Sequence, residues 1–226
     1  PAFIDSVKSK GGKDEQIEYI PNWAEDLFVE PVNNIPNAIR RLVPDGFKIL
    51  FAGNIGEAQD FGSILKAAQL TKENKEIQWV VVGDGRNKSW VDEQIKEMNL
   101  EDTVHLIGRF PLEDMPYFFS LADIMLVSLK DEEIFSLTIP SKIQSYMATG
   151  KPILSMLNGV SNKIIKDSGC GFTANAGDYE KLAENVLKAY KTNKETLNLK
   201  GHNGKMFYQK EFEKQAIINK LLTIVK

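Results

Sequence analysis

Cysteine is nearly absent: Cys170 stands alone among 226 residues. It cannot form an intramolecular disulfide, so a reducing compartment is expected and the cytoplasm is the default location. Histidine is almost as scarce, with only His105 and His202. These residues are too few and too scattered for a transition-metal site, and no Asp-x-Asp pair occurs, so neither a bound metal nor another cofactor is expected. His105 falls in an apolar strand pattern and His202 in a polar helical one, and both are read as structural. Excess charge of one sign is also missing. Twenty-eight basic residues against 31 acidic ones leave a net charge of −3, which gives no electrostatic ground for a nucleic-acid or anionic-membrane partner. A local basic pocket is compatible with that balance. Long apolar runs are lacking too: stretches such as 79–82 fall far short of the ~20 residues a membrane-spanning helix requires, and no signal peptide opens the chain. Because Pro1 is no initiator, the chain is expected to be a piece of something longer.

What is present suits a packed domain. With 42% hydrophobic residues the chain can bury a substantial core, as one domain or one domain with appended helices. Residues 47–53, rich in Phe, Ile and Leu and ending in glycine, predict a buried strand. Asp60 is placed to cap the next helix, whose apolar Phe61, Ile64, Leu65 and Ala68 recur at i, i+3, i+4 and i+7. The alternation continues with strand 77–82, a Gly83-Asp84-Gly85 turn, helix 90–98, strand 103–107, helix 112–121 and strand 123–129. Helix 140–149, strand 152–156, helix 161–166, strand 171–174 and helix 178–190 complete it. Near-continuous apolar strands separated by helices predict an α/β class, a Rossmann-like doubly wound parallel sheet over residues 47–192, with ligands beyond the carboxyl ends of the strands. Residues 1–46, with Gly11-Gly12 and five prolines (Pro1, Pro21, Pro31, Pro36 and Pro44), predict an approach segment with a short helix at most. Residues 193–226 predict terminal helices anchored by Phe207, Phe212, Ile217, Leu221 and Leu222, packed on this domain or on an absent one.

Two segments carry the functional signal. Gly53-Asn54-Ile55-Gly56 ends the first strand, where glycine lets the backbone turn sharply and approach a ligand without a Cβ clash. It is not G-x-G-x-x-G, and no G-K-[ST] follows, so the main signals for NAD-dependent redox chemistry and P-loop hydrolysis are missing. In the second segment Thr138 is read as a helix N-cap and Pro140 as a first-turn residue. Unpaired N–H groups, the Ser141 hydroxyl and the Lys142 ammonium would then converge on one small volume, which suits a phosphate. An ordinary turn and an ordinary capped helix are the plain alternatives.

Taken in order, I-P-N-W (20–23), G-N-I-G (53–56), V-V-G-D-G (81–85), H-L-I-G-R-F (105–110), L-A-D-I (121–124) and P-S-K-I-x-S-Y-M-A-x-G-K-P (140–152) resemble the C-terminal half of a GT-B glycosyltransferase. More narrowly, the chain is similar to the retaining group 1 enzymes of family 4, and among them to bacterial surface-polysaccharide transferases such as the N-acetylfucosamine transferases. The resemblance implies that this half holds a nucleotide-sugar donor, a UDP-sugar or another NDP-sugar. An N-terminal domain, absent here, would bind a glycan or lipid-linked acceptor, with residues 1–46 on the hinge side. It further implies a role in capsule, O-antigen or exopolysaccharide synthesis, peripheral to the inner face of the membrane through the full-length enzyme. Metal-independent chemistry and little or no turnover by the isolated chain belong to the same expectation. Carried over, Gly53, Asn54, Ile55 and Gly56 border the diphosphate and sugar. Thr138, Ile139, Pro140, Ser141 and Lys142 meet the phosphates, and Gly83, Gly85, Arg109 and Phe110 border the base and ribose.

The chain departs from that pattern twice. Asn54 stands where many members carry Arg, with Gln59 or Asp60 near the place of a Lys, so Lys142 is read as supplying part of that charge. The E-x7-E signature falls on Leu137 and Ser145, leaving Ser145 as a ribose-side hydroxyl that binds more weakly than a carboxylate. Glu132 and Glu133 are the candidates for sugar contacts. No nucleophile is identifiable and the catalytic residues stay unassigned. A non-catalytic nucleotide-binding module and a GT-B sugar-nucleotide epimerase are the alternatives, with a Rossmann oxidoreductase more distant.

Overall fold

Short apolar segments separated by amphipathic ones bury most completely as parallel strands covered on both faces. Six such segments do so in the computed structural model, which describes residues 2–30 and 32–224. Pro1 and Pro31, two of the five prolines noted above, and residues 225–226 of the terminal helices lie outside the described residues. The strands are β1 (Phe47–Ala52), β2 (Ile77–Val82), β3 (Val104–Gly108), β4 (Ile124–Ser128), β5 (Ile153–Met156) and β6 (Gly171–Ala174). All pair in parallel, in the order β3-β2-β1-β4-β5-β6, so the strand order reverses between β1 and β4.

The helices are α1 (Ile4–Ser9), α2 (Asn37–Arg40), α3 (Phe61–Thr71), α4 (Lys88–Glu97), α5 (Met115–Leu121), α6 (Glu133–Ser136), α7 (Ser141–Ala148), α8 (Gly159–Asp167), α9 (Tyr179–Lys191), α10 (Lys194–Glu211) and α11 (Lys214–Ile224). Strand residues alternate between two cores. Ile49, Phe51, Trp79, Val81 and Leu126 meet Ile64 and Leu65 of α3 and Leu182 and Val186 of α9. Leu50, Val80, Met125 and Val127 meet Phe118 of α5, Ile143 and Met147 of α7 and Tyr208 of α10. Each such buried side chain contributes about 1.5–3 kcal/mol, and the period-2 alternation is what makes the sheet two-faced.

Local chemistry sets the ends of these elements. Asp60, at φ +50, caps α3 by accepting the Ser63 N–H at 3.4 Å. The helix expected over 112–121 is shorter: Leu112–Asp114 is a 3-10 turn, and α5 starts at Met115 with Pro116 in its first turn, where a missing N–H costs nothing. Lys151 turns its ammonium under the sheet and donates to the carbonyls of Ser120 (2.8 Å) and Ala122 (2.7 Å), capping the C-terminus of α5. The terminal region forms two helices, and Phe212, at the junction between them, and Ile217 of the second are buried, as expected. Leu221 and Leu222 are not anchors, being 40% and 53% exposed: Ile217 is the buried residue of α11, and the apolar residues of its last turn are left to solvent. Ahead of the sheet, Phe28 stacks on Phe119 at 5.0 Å, and Tyr146 meets Phe119 edge-on at 5.4 Å. That aromatic row fixes the 3-10 turn Asp26–Phe28 against α5 and α7.

Candidate functional site

At the point of strand reversal a side chain takes over from the sheet. β1 pairs with β4 through Ile49, Leu50 and Phe51, and then Tyr146 of α7 intervenes. Its hydroxyl accepts the Ala52 N–H at 3.2 Å and donates to the Ala52 carbonyl at 3.4 Å. Complete burial pushes the phenol well above its usual range, so it stays neutral. Above it opens a cleft of about 1040 Å³, bounded by the ends of β1 to β3, the start of α7 and residues 23–28.

Two interlocked loops make the floor. Gly53 donates its N–H to the Val82 carbonyl at 2.9 Å, and Ile55 donates to that of Asp84 at 2.8 Å. A Cβ on Gly83, which holds φ +155, would stand 1.8 Å from the Gly53 oxygen, and one on Gly85 2.3 Å from the Ile55 oxygen. The glycines of V-V-G-D-G therefore serve the contact between loops as well as the cleft. Gly53, Asn54, Gly83 and Gly85 line the cavity. Ile55 and Gly56 do not: Ile55 is fully buried in the core, and Gly56 donates its N–H to Gln59 Oε1 at 3.0 Å. Three of the four loop amides are thus satisfied internally, leaving that of Asn54.

The wall formed by α7 differs from expectation at its start. The helix begins at Ser141, so the N-cap position falls on Pro140, whose side chain makes no capping bond. Thr138 is no cap: it lies in the turn after α6, where its hydroxyl donates to the Phe135 carbonyl at 3.1 Å and its carbonyl accepts from Ser161 at 2.7 Å. Thr138, Ile139 and Pro140 stay outside the cleft lining, whereas Ser141, Lys142, Ser145 and Tyr146 enter it. Glu132 and the first residue of α6, Glu133, are exposed and outside the lining, and the loop is held instead by an ion pair between Lys130 and Glu57 at 2.9 Å.

Lys142 is the electrostatic centre. Its ammonium lies 3.8 Å from the centroid of the Phe51 ring, and a Cβ on Gly53 would stand 2.8 Å from its Cε. No carboxylate pairs with it among the described residues, and burial pushes its pKa down to about 7. The β3 side of the cleft is formed by Arg109 and by Phe110, which packs on Phe118 with ring centroids 4.7 Å apart. Trp23, Glu25, Arg86 and Met115 also line the cavity. None was among the candidates above, although I-P-N-W pointed at Trp23. Among the described residues no group of three or more His, Cys, Asp and Glu gathers as a metal set, and no helix is long and apolar enough to cross a membrane.

A parallel sheet in the order 3-2-1-4-5-6 with a cleft at its switch point defines a Rossmann-like domain. The chain belongs to the glycosyl transferases group 1 family, whose sequence model matches residues 37–206. The probable glycosyltransferase WbjE of Pseudomonas aeruginosa is 32% identical over 189 residues, covering 78% of this chain and 44% of that protein. The putative colanic acid biosynthesis glycosyl transferase WcaI of Escherichia coli K12 is 28% identical over 156 residues, covering 66% and 37%. The chain therefore spans less than half the length of either relative. The crystal structure of Anabaena Alr3699/HepE in complex with UDP and glucose superposes with a TM-score of 0.79 over 98% of this chain and 60% of that one. At 17% identity that likeness is one of fold, and it matches the GT-B architecture.

Proposed function

We propose that this chain is the donor-holding part of a retaining glycosyltransferase whose N-terminal part binds the acceptor, and that its cleft takes a UDP-sugar. Lys142 carries the reading: a largely buried cation without a carboxylate partner among the described residues, beside Gly53 and at the start of α7, is arranged to receive an anion. The Lys142 ammonium, the first-turn amides of α7 and the Asn54 amide would neutralise the diphosphate as the bond between sugar and phosphate oxygen breaks. The acceptor hydroxyl would enter on the face that the diphosphate leaves, its oxygen bonding to the sugar's anomeric carbon while its proton passes to the departing phosphate oxygen, with no protein nucleophile and no bound metal. The WcaI relative, named for colanic acid biosynthesis, supports a place in bacterial surface-glycan assembly, which we set at the cytoplasmic face of the membrane.

Calorimetric titration with UDP, GDP and NAD in EDTA tests the reading. It predicts that UDP binds in preference to the others and that Lys142→Ala weakens UDP about 10-fold to 100-fold, the range of a charge-assisted hydrogen bond. Indifference to the substitution, or preference for NAD, overturns it. For the longer protein, release of UDP from a panel of UDP-sugars that includes UDP-N-acetylfucosamine would name the donor. A second reading, a non-catalytic nucleotide-binding module, is favoured by Leu137 and Ser145 at the two glutamate positions. It predicts UDP binding without transfer from any donor by the longer protein.

A further inference from the structure

Lys142, Arg86 and Arg109 give the cleft its positive charge, and its lining carboxylates among the described residues are Asp84 and Glu25. Asp84 is engaged, because its Oδ1 accepts the Gly85 N–H at 2.9 Å and lies 3.9 Å from Lys88 Nζ. Glu25 is not: among the described residues its carboxylate enters no ion pair or side-chain hydrogen bond, and nearby Lys214 is held by Asp26 at 2.6 Å. Its backbone is nevertheless anchored. The Glu25 carbonyl accepts the Phe28 N–H at 3.0 Å, Phe28 stacks on Phe119, and neighbouring Ala24 is 1% exposed. The Ser145 hydroxyl, on the helix packed against this turn, donates to the Ser141 carbonyl at 3.3 Å.

An unpaired carboxylate in a cleft suited to a diphosphate repels the ligand unless the ligand supplies it with donors. In a nucleotide sugar, the groups that present two O–H donors at the spacing of carboxylate oxygens are vicinal diols. We propose that Glu25 accepts a diol of the donor and so helps determine donor specificity, an inference that rests on the nucleotide-sugar reading above. Ribose and the transferred sugar both carry such diols.

The wild-type chain and Glu25→Ala, an exposed position whose substitution should leave the melting temperature unchanged, are titrated with UDP, 2′,3′-dideoxy-UDP and UDP-glucose. A loss of about tenfold or more for UDP that vanishes with the dideoxy nucleotide assigns the ribose diol. A loss confined to UDP-glucose assigns the sugar. Unchanged or tighter binding of all three overturns the inference, as does an equal loss for the dideoxy nucleotide. A wild-type chain that binds none of them overturns the nucleotide-sugar reading itself.

Discussion

The Lys142 ammonium rests 3.8 Å from the centroid of the Phe51 ring, a residue of the first core strand that is 1% exposed. Cation–π attraction offsets part of the desolvation, but no counter-charge completes the pair among the described residues. The arrangement costs stability in the empty domain. It also sets how that cost varies with pH.

Lys142 has a folded-state pKa of about 7 against its ordinary 10.5. Between those values the unfolded chain holds a proton that the folded chain has shed, so this group's contribution to stability improves as pH rises through the window. Below pH 7 its full cost is present. Lys142→Met is expected to stabilise the domain by about 1–3 kcal/mol at pH 6, and by much less at pH 10. Urea unfolding at both values measures it, and a gain that is the same at both would count against the buried-cation account.

The same proton is linked to ligand. An anion beside Lys142 raises its pKa, so a diphosphate should bind with proton uptake, and UDP affinity should fall as pH rises from 7.5 to 9.5, approaching tenfold per unit at the steepest. Lys142→Arg, charged throughout this range, should lose the slope. Calorimetry in two buffers of different ionisation enthalpy counts the protons directly.

Gly83→Ala places a methyl group 1.8 Å from the Gly53 oxygen on a backbone that L-residues rarely adopt. The loops must separate, and a loss of about 2–4 kcal/mol of stability is expected, together with UDP binding. Thermal unfolding and titration of the one variant read both effects.

Tyr146→Phe removes the group that satisfies both the N–H and the carbonyl of Ala52. Two buried backbone groups are left without that partner, and a cost of about 1–3 kcal/mol follows. Amide exchange at Ala52 should quicken more than exchange at Leu50, which lies deeper in the sheet. Equal protection at the two positions would show that the hydroxyl does not close the gap between β1 and β4.

The sheet was legible because its central strands are apolar runs buried on both faces, a local property of segments such as Ile77–Val82 and Ile124–Ser128. The Asp60 cap was legible for the same reason, since its partner Ser63 is three residues away. Thr138 was misread because a polar residue just ahead of a proline satisfies the capping pattern wherever the helix starts, and α7 starts three residues later, at Ser141. Trp23 and Glu25 were missed because their place in the cleft depends on the stacking of Phe28 on Phe119, a contact between residues far apart in sequence that no spacing encodes. The depth of Lys142 was hidden likewise, since Phe51, which it covers, belongs to the first strand.

The interlocking of Gly53 with Gly83 limits how such a cleft can diversify. With no room between the two loops at Gly83 and Gly85, those floor positions accept a side chain only when the facing loop shifts as well, a coupled step that single substitutions do not reach. The walls carry no such restriction at their exposed positions: Glu25 in the stretch 23–25, and Arg109 and Leu112 in the stretch 109–115, can vary singly. Redesign of donor choice should therefore graft those two stretches and leave both glycine loops untouched.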